Sequence, residues 1–215
     1  MNHIPAAARA VLSALPWILV AGALKGLTQN QDSRSVQVAA VILCFVCIVI
    51  AYGVIVARMM PGRTTNPLRI LKDHFLHCAV IGIAIGLPVA AVTVAMMPMY
   101  MFTGQLVPLM LMFLPAVVSA LTMFVLPIAI IEGAGVSAIG RGLRVVGTMP
   151  RTSAVLGGVI VMGHAVHFAG TVMATRVPPD LVRALFVSVE MVVAIILFGA
   201  FAGAVAVIPG RESGG

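Results

Sequence analysis

The stretch PIAIIEGAGVSAIGRGLRVVGTMPR, residues 127–151, interrupts an otherwise apolar sequence. A long apolar run enters it and another leaves it. Between them lie one acid, Glu132, and three arginines, Arg141, Arg144 and Arg151. This alternation of long apolar runs with a short basic segment is typical of a chain that crosses a membrane several times.

Within this stretch, apolar residues recur at spacings of three and four, which predicts one apolar helix face formed by Val136, Ile139, Leu143 and Val146. Arg141 and Arg144 flank that face and suit an anionic membrane surface. Gly133 and the glycine two residues later allow the chain to turn at low steric cost. Glu132 is predicted to cap or to pair with one of the two arginines. We predict an amphipathic helix on the inner membrane surface, and we favour a connector over a gating or substrate-binding element.

The composition requires lipid as the solvent for most of the chain. Of the 215 residues, 61% are hydrophobic and 9% are charged, whereas soluble domains are about half apolar and about a quarter charged. The net charge of +7 is expected to face anionic headgroups, and no cluster of bases with interleaved aromatics predicts nucleic-acid binding. The three cysteines do not predict a disulfide framework.

The sequence predicts an all-α bundle that forms a single transmembrane domain over residues 1–215. Each apolar run has about twenty residues or more, enough to cross about 30 Å of hydrocarbon. The six predicted spans are residues 6–27, 36–56, 75–97, 107–131, 153–173 and 184–207. The fourth is expected to bend at Pro115 and Pro127. The first also resembles a signal peptide with a small-residue cleavage site, but we favour a retained helix.

The distribution of bases predicts the orientation. With the N-terminus inside, nine lysines and arginines fall in inner segments and four in outer loops. This bias predicts that both termini are cytoplasmic. A second basic segment, residues 57–74, is then also on the inner side, so two amphipathic interfacial segments are expected. Tyr100 and Phe102, in the connection after the third span, are expected at headgroup level.

The two inner segments match each other at an offset of 75 residues. Leu68-Arg69 aligns with Leu143-Arg144, and residues 79–82 (AVIG) align with residues 154–157 (AVLG). Both copies run in the same direction, so a duplication would be parallel, about an axis along the membrane normal. Chance similarity of apolar sequences is the competing explanation.

Glu190 is the one acid inside a predicted span. A charge at that depth is costly and normally has a partner within the protein. The fifth and sixth spans form a hairpin about Pro178 and Pro179, and equal distances from that turn place His167 opposite Glu190. His164 lies one turn from His167 on nearly the same face. We predict a contact between His167 and Glu190, either as a structural clasp, which we favour, or as a proton-handling or ligand site.

Three further patterns in the predicted spans and at their edges are pairs of histidines, of cysteines and of glycines. His74 and His77, or His164 and His167, are a less favoured alternative as ligands of a b-type haem; otherwise no cofactor or metal is expected. The pair Cys44 and Cys47 is interpreted as apolar filler within the second span. GxxxG pairs, which permit close approach of helices in a bundle or between subunits, are Gly22/Gly26, Gly82/Gly86 and Gly199/Gly203.

Residues 127–147 resemble a motif in a broad group of bacterial multi-span proteins. The group includes the membrane domain attached to some glycerophosphodiester phosphodiesterases and the related YciC-like membrane proteins. The matching positions are Pro127, Glu132, Gly133, Ala138, Arg141 and Gly147, and Gly142 stands where serine is usual. The resemblance implies a bacterial inner-membrane protein. It does not imply phosphodiesterase activity, because the soluble catalytic domain has no counterpart in this chain.

Two function classes follow, neither enzymatic, since the sequence has no nucleophile–base set, phosphate loop or HExxH pattern. The first is a scaffold or accessory subunit of a larger membrane complex, or an envelope-integrity protein. The second is a small transporter or permease component that uses Glu190 and His167. The expected partners are anionic headgroups at the cytoplasmic face and other membrane subunits or copies of the chain.

Overall fold

The computed structural model describes residues 3–28, 33–60, 62–103 and 106–208, and every regular element in these ranges is helical. The predicted all-α fold class is thereby confirmed. The helices are α1 (His3–Thr28), α2 (Arg34–Met59), α3 (Pro67–Thr103), α4 (Leu106–Leu121), α5 (Val125–Glu132), α6 (Ser137–Thr148), α7 (Pro150–Ala174) and α8 (Pro179–Val207). Most of the predicted first polar loop and the tail from Pro209 lie outside the described residues, as do the side chains of Tyr100 and Phe102.

Five of these helices, α1, α2, α3, α7 and α8, are long and apolar enough to cross a membrane. The remaining predicted span, the fourth, is broken. Its two parts, Phe113–Leu121 and Val125–Glu132, meet at an angle of 41°. The chain is therefore a polytopic helical membrane protein with five spanning helices, or six when α4 and α5 count as one.

The break in the fourth span has a local cause. Pro127 is the third residue of α5. As a proline it has no N–H to donate, and in a continuous helix its ring would clash with the carbonyl of Met123. The Thr122 hydroxyl donates to Val118 O at 2.7 Å, a bond that often accompanies a bend. The chain therefore breaks at residues 122–124, ahead of Pro127. A bend was also predicted at Pro115. The helix does not break there, because α4 continues through that residue.

The first predicted interfacial segment, residues 57–74, does not form a helix of its own. Its second half is the start of α3, which begins at Pro67. Proline suits the first helical position, and the Asn66 side chain accepts from Leu68 N at 3.0 Å and caps the new helix. Only the second segment forms a separate helix, α6. In the proposed repeat, residue 68 therefore lies in a span-length helix, whereas residue 143 lies in α6.

The spanning helices pack as a closed ring. Contacts run from α1 to α2, then to α3, α4, α7 and α8, and α8 returns to α1. The short helix α5 lies inside one end of this ring, where it contacts α2, α3, α6 and α8. Its side chains Val125, Ile128, Ala129 and Ile130 are buried. We call this the α6 end of the bundle, because α6 packs against α5 there.

The closest helix pair is α1 with α8. A Cβ atom added to Gly22 would lie 2.7 Å from the Cα of Met191, and one added to Gly26 would lie 2.6 Å from the Cα of Val187. No side chain fits at these distances, so the Gly22/Gly26 pair has the role predicted for a GxxxG motif. By contrast, Gly82 and Gly86 on α3 have no atom within 4 Å of such a Cβ.

Candidate functional site

Glu190 is buried in α8, with 1% of its side chain exposed. The predicted contact with His167 is present, because His167 Nδ1 lies 2.5 Å from Glu190 Oε1. It forms as the sequence suggests: α7 ends at Ala174, α8 begins at Pro179, and the two helices run back along each other. Residues equally far from the turn then lie at the same depth.

Lys25 is a second partner of Glu190 that the sequence analysis missed. Its Nζ lies 2.9 Å from Glu190 Oε2. A helical side chain points back toward the N-terminus of its helix, so Lys25, near the end of α1, reaches into the bundle. The signal in the sequence was the position of Lys25 beside Gly22 and Gly26, which bring α1 against α8 at Glu190. We call Lys25, His167 and Glu190 the clasp.

Two further polar side chains lie near the clasp. His164 is half-buried, one turn before His167, and is close enough for the charges of Lys25 and Glu190 to act on it. Cys44 of α2 donates to Ala21 O at 3.4 Å. Cys44 and Cys47 are both buried and free, in keeping with their interpretation as packing residues. The cluster therefore joins α1, α2, α7 and α8.

The geometry of the clasp favours cohesion over chemistry. Each carboxylate oxygen of Glu190 faces one base, so the buried charge is compensated on both sides. Three cavities in the described part of the chain have linings that do not include Glu190. The basic side of the clasp is more open, with 49% of the Lys25 side chain and 30% of the His167 side chain exposed.

Glu132 of the interfacial motif pairs with one of the two arginines, as predicted. Arg141 Nη1 pairs with Glu132 Oε2, whereas Arg144 does not reach that acid and donates from Nε to Gly140 O at 3.4 Å. Gly133 ends α5 with a left-handed φ of 63°, where a side chain would be strained. The turn between α5 and α6 therefore depends on this glycine, as predicted.

The buried face of α6 agrees with the predicted one only in part. Ala138, Gly142 and Val145 are buried, and Ile139 and Val146 of the predicted face are half-buried and pack against the core. Val136 and Leu143, which were assigned to the apolar face, are exposed at the surface. The reason is the close approach of α5: a Cβ on Gly142 would lie 2.9 Å from Val125 N. A glycine brings the two backbones together, and this rotates α6 so that Leu143 points outward.

Arg63 makes a contact that the sequence analysis did not foresee. From the loop between α2 and α3, its Nη1 donates to Ile130 O at 3.0 Å and its Nη2 donates to Ile131 O. These carbonyls belong to the last turn of α5, where no helical N–H reaches them. A cation there also suits the negative end of the helix dipole. Arg63 thus holds α5 inside the ring.

Replacing this arginine, in an Arg63→Met variant, is expected to destabilise the protein by about 2 kcal/mol, because two carbonyls at the end of α5 lose a charged donor. The free energy of unfolding can be measured by titrating sodium dodecyl sulfate into mixed micelles. Arg69→Met is the matched control. The Arg69 side chain is 72% exposed and lies 4.0 Å from Asp73, so a change within about 0.5 kcal/mol is expected. Equal losses in the two variants would contradict the role of Arg63.

The four histidines named as haem ligands lie in two pairs on different helices. His74 and His77 lie on α3, and His164 and His167 lie on α7. His167 Nδ1 is occupied by Glu190. No group of three or more His, Cys, Asp or Glu residues with metal-binding geometry occurs among the described residues. A b-type haem needs only two histidine ligands, so the haem alternative stays a prediction.

Comparison of the chain with protein-family models, with curated proteins and with solved structures gives no significant match. The resemblance of residues 127–147 to the YciC-like group therefore stays a prediction.

Proposed function

We propose that the protein is a non-enzymatic scaffold or accessory subunit of a larger complex in a bacterial inner membrane. The observation that carries the proposal is the clasp: Glu190 has 1% of its side chain exposed and faces a base at each oxygen. A buried acid held in this way fixes three helices to one another. Such a fixed arrangement suits a protein that presents a surface to partners.

The outer face of α3 supports the same proposal. Of the five spanning helices, α3 has the smallest buried share, 11% of its most apolar window. Gly82 and Gly86 lie on it with open space above them, beside the exposed side chains of Ile83 and Leu87. Within a membrane, small residues at this spacing promote close packing of another helix. We assign this face to the partner subunit.

The proposed orientation places both termini and the α6 end in the cytoplasm. Arg63, Arg141 and Arg144 then lie at the inner surface, together with the other bases of the two basic segments. This agrees with the excess of lysine and arginine expected on the cytoplasmic side.

The test is site-specific photocrosslinking in native membranes. A crosslinking residue at Ile83 on α3, 59% exposed, is compared with one at Leu12 on α1, 63% exposed. We expect an adduct of one defined mass from Ile83 and none from Leu12. Native mass spectrometry after extraction in mild detergent should show the same partner at fixed stoichiometry, and a Gly82→Leu/Gly86→Leu variant should lose it. A monomer without adducts at either position would refute the proposal.

A second candidate, a small transporter or permease component, has one observation in its favour. The break between α4 and α5 borders a cavity of about 170 Å³, whose polar lining groups are Tyr52, Ser119 and Thr122. Broken spans line substrate sites in many transporters because their free backbone groups need a polar cavity. In this alternative the clasp, through Glu190 and His167, would couple transport to protons.

Labelling of the cavity distinguishes the two candidates. A Ser119→Cys variant is made in a background in which Cys44, Cys47 and Cys78 are replaced by alanine. A membrane-impermeant thiol reagent is then applied from each side of sealed vesicles. Reaction from both sides indicates alternating access and supports the transporter. Protection from both sides supports the scaffold.

A further inference from the structure

A cavity of about 470 Å³ lies at the α6 end of the bundle. It opens between α5, α6 and the end of α8. Four apolar side chains form its body: Ile128, Val145, Met149 and Ile208. The volume falls within the range of small-molecule sites, which are mostly apolar with a few placed polar groups.

The polar residues that line this cavity are the charged Glu132, Arg141 and Arg144 and the neutral Thr148. Glu132 is paired with Arg141, so these two charges compensate each other. Within the described residues, Arg144 is in no salt bridge and is exposed. The cavity therefore carries one uncompensated positive charge, on a planar guanidinium group that matches the oxygens of a phosphate.

We propose that this cavity binds one anionic phospholipid, with its phosphodiester on Arg144 and one of its two acyl chains against the apolar wall. The single net charge matches the single negative charge of a phosphatidylglycerol headgroup. A free phosphate ion would satisfy Arg144 but would leave the apolar wall without a ligand, which is why we assign a lipid. The site lies at the end of the bundle where α6 packs, the level expected for headgroups when α6 lies on the membrane surface. The proposal holds whether the protein is a scaffold or a transporter.

The experiment uses the full chain purified in detergent without added lipid. Phosphatidylglycerol, phosphatidylcholine and inorganic phosphate are added separately, and the melting temperature is measured. Phosphatidylglycerol at about a hundred times its dissociation constant is expected to raise the melting temperature by about 5 °C or more. Phosphatidylcholine and inorganic phosphate are expected to give less than a third of that shift. Native mass spectrometry should show one retained phosphatidylglycerol molecule.

Two charge-matched variants locate the site. Arg144→Gln is expected to lose most of the shift and the retained lipid. Arg151→Gln removes a charge from the same basic segment at an exposed residue outside the cavity lining, and should keep both. Because Arg144 is exposed, its variant should melt at the wild-type temperature in the absence of lipid. Equal shifts in the two variants would overturn the proposal, and so would an equal shift with inorganic phosphate or phosphatidylcholine in the wild-type protein.

Discussion

Removal of both bases of the clasp, in a Lys25→Met/His167→Leu variant, is expected to destabilise the bundle by about 3–5 kcal/mol. The reason is the asymmetry of burial. Glu190 is almost fully buried, whereas Lys25 and His167 are partly exposed. Without the bases, the carboxylate must stay charged without its two ion pairs in a medium of low polarity, or take up a proton. Both alternatives cost free energy that the native clasp avoids.

The converse substitution should cost less. In a Glu190→Leu variant the two bases remain, but Lys25, which is half exposed, can extend its ammonium group to the surface. The triple variant Lys25→Met/His167→Leu/Glu190→Leu should recover most of the stability lost in the double variant, because a well-packed apolar set can replace a buried ion pair. The order of stability, triple above double, separates a charge effect from a packing effect.

The unfolding free energies can be measured by titration with sodium dodecyl sulfate in mixed micelles. Lys72→Met is the control for loss of one positive charge, since Lys72 is exposed on α3 and belongs to no described ion pair. It should change the stability by less than about 0.5 kcal/mol. If the triple variant is no more stable than the double one, the clasp contributes through shape and not through charge.

The contact between His167 and Glu190 was predictable because it is local. A tight turn at Pro178 and Pro179 joins two regular helices, so a count of residues gives the depth of each side chain. The contact between Lys25 and Glu190 was not predictable in the same way. It depends on α1 packing against α8, at opposite ends of the chain, and the periodicity of one helix does not indicate its neighbour in lipid, where all faces are apolar.

The same contrast between local and distant contacts explains the other differences between the predictions and the structure. A break near Pro127 follows from the chemistry of proline. Its position at residues 122–124 depends on which backbone hydrogen bond of the helix is lost. The rotation of α6 follows from the contact of Gly142 with Val125, which no pattern in α6 alone reveals. Arg63 was counted only as an inner-face base, because its acceptors on α5 are more than sixty residues away in sequence. Features that depend on neighbouring residues could be predicted from the sequence, and contacts between distant segments could not.

Substitution of the two glycines between α1 and α8 is expected to have the second large effect. In a Gly22→Ala/Gly26→Ala variant each new Cβ would lie within 2.7 Å of a Cα atom of α8. Backbone cannot yield as a flexible side chain does, so the helices must separate. Overpacking costs about 1–3 kcal/mol at one site, and we expect about 3 kcal/mol or more for the pair. Separation also lengthens the contact between Lys25 and Glu190.

The loss of stability expected for the Gly22→Ala/Gly26→Ala variant is opposite in sign to the change expected from helix propensity. Alanine is favoured over glycine within a helix by about 1 kcal/mol, so a loss of stability can only come from packing. Gly82→Ala/Gly86→Ala in α3 is the matched control, because the spacing is the same and nothing lies within 4 Å of either position. That variant should be neutral or slightly more stable as a monomer.

Trp17, the single tryptophan of the chain, provides the measurement. It lies on α1 and packs partly buried against the core, so its fluorescence should shift to longer wavelength when α1 leaves α8. We expect the shift at a lower concentration of sodium dodecyl sulfate in the α1 variant than in the α3 variant. Coincident transitions would mean that α1 and α8 adjust without separating, and the close approach would then not be what holds Lys25 against Glu190.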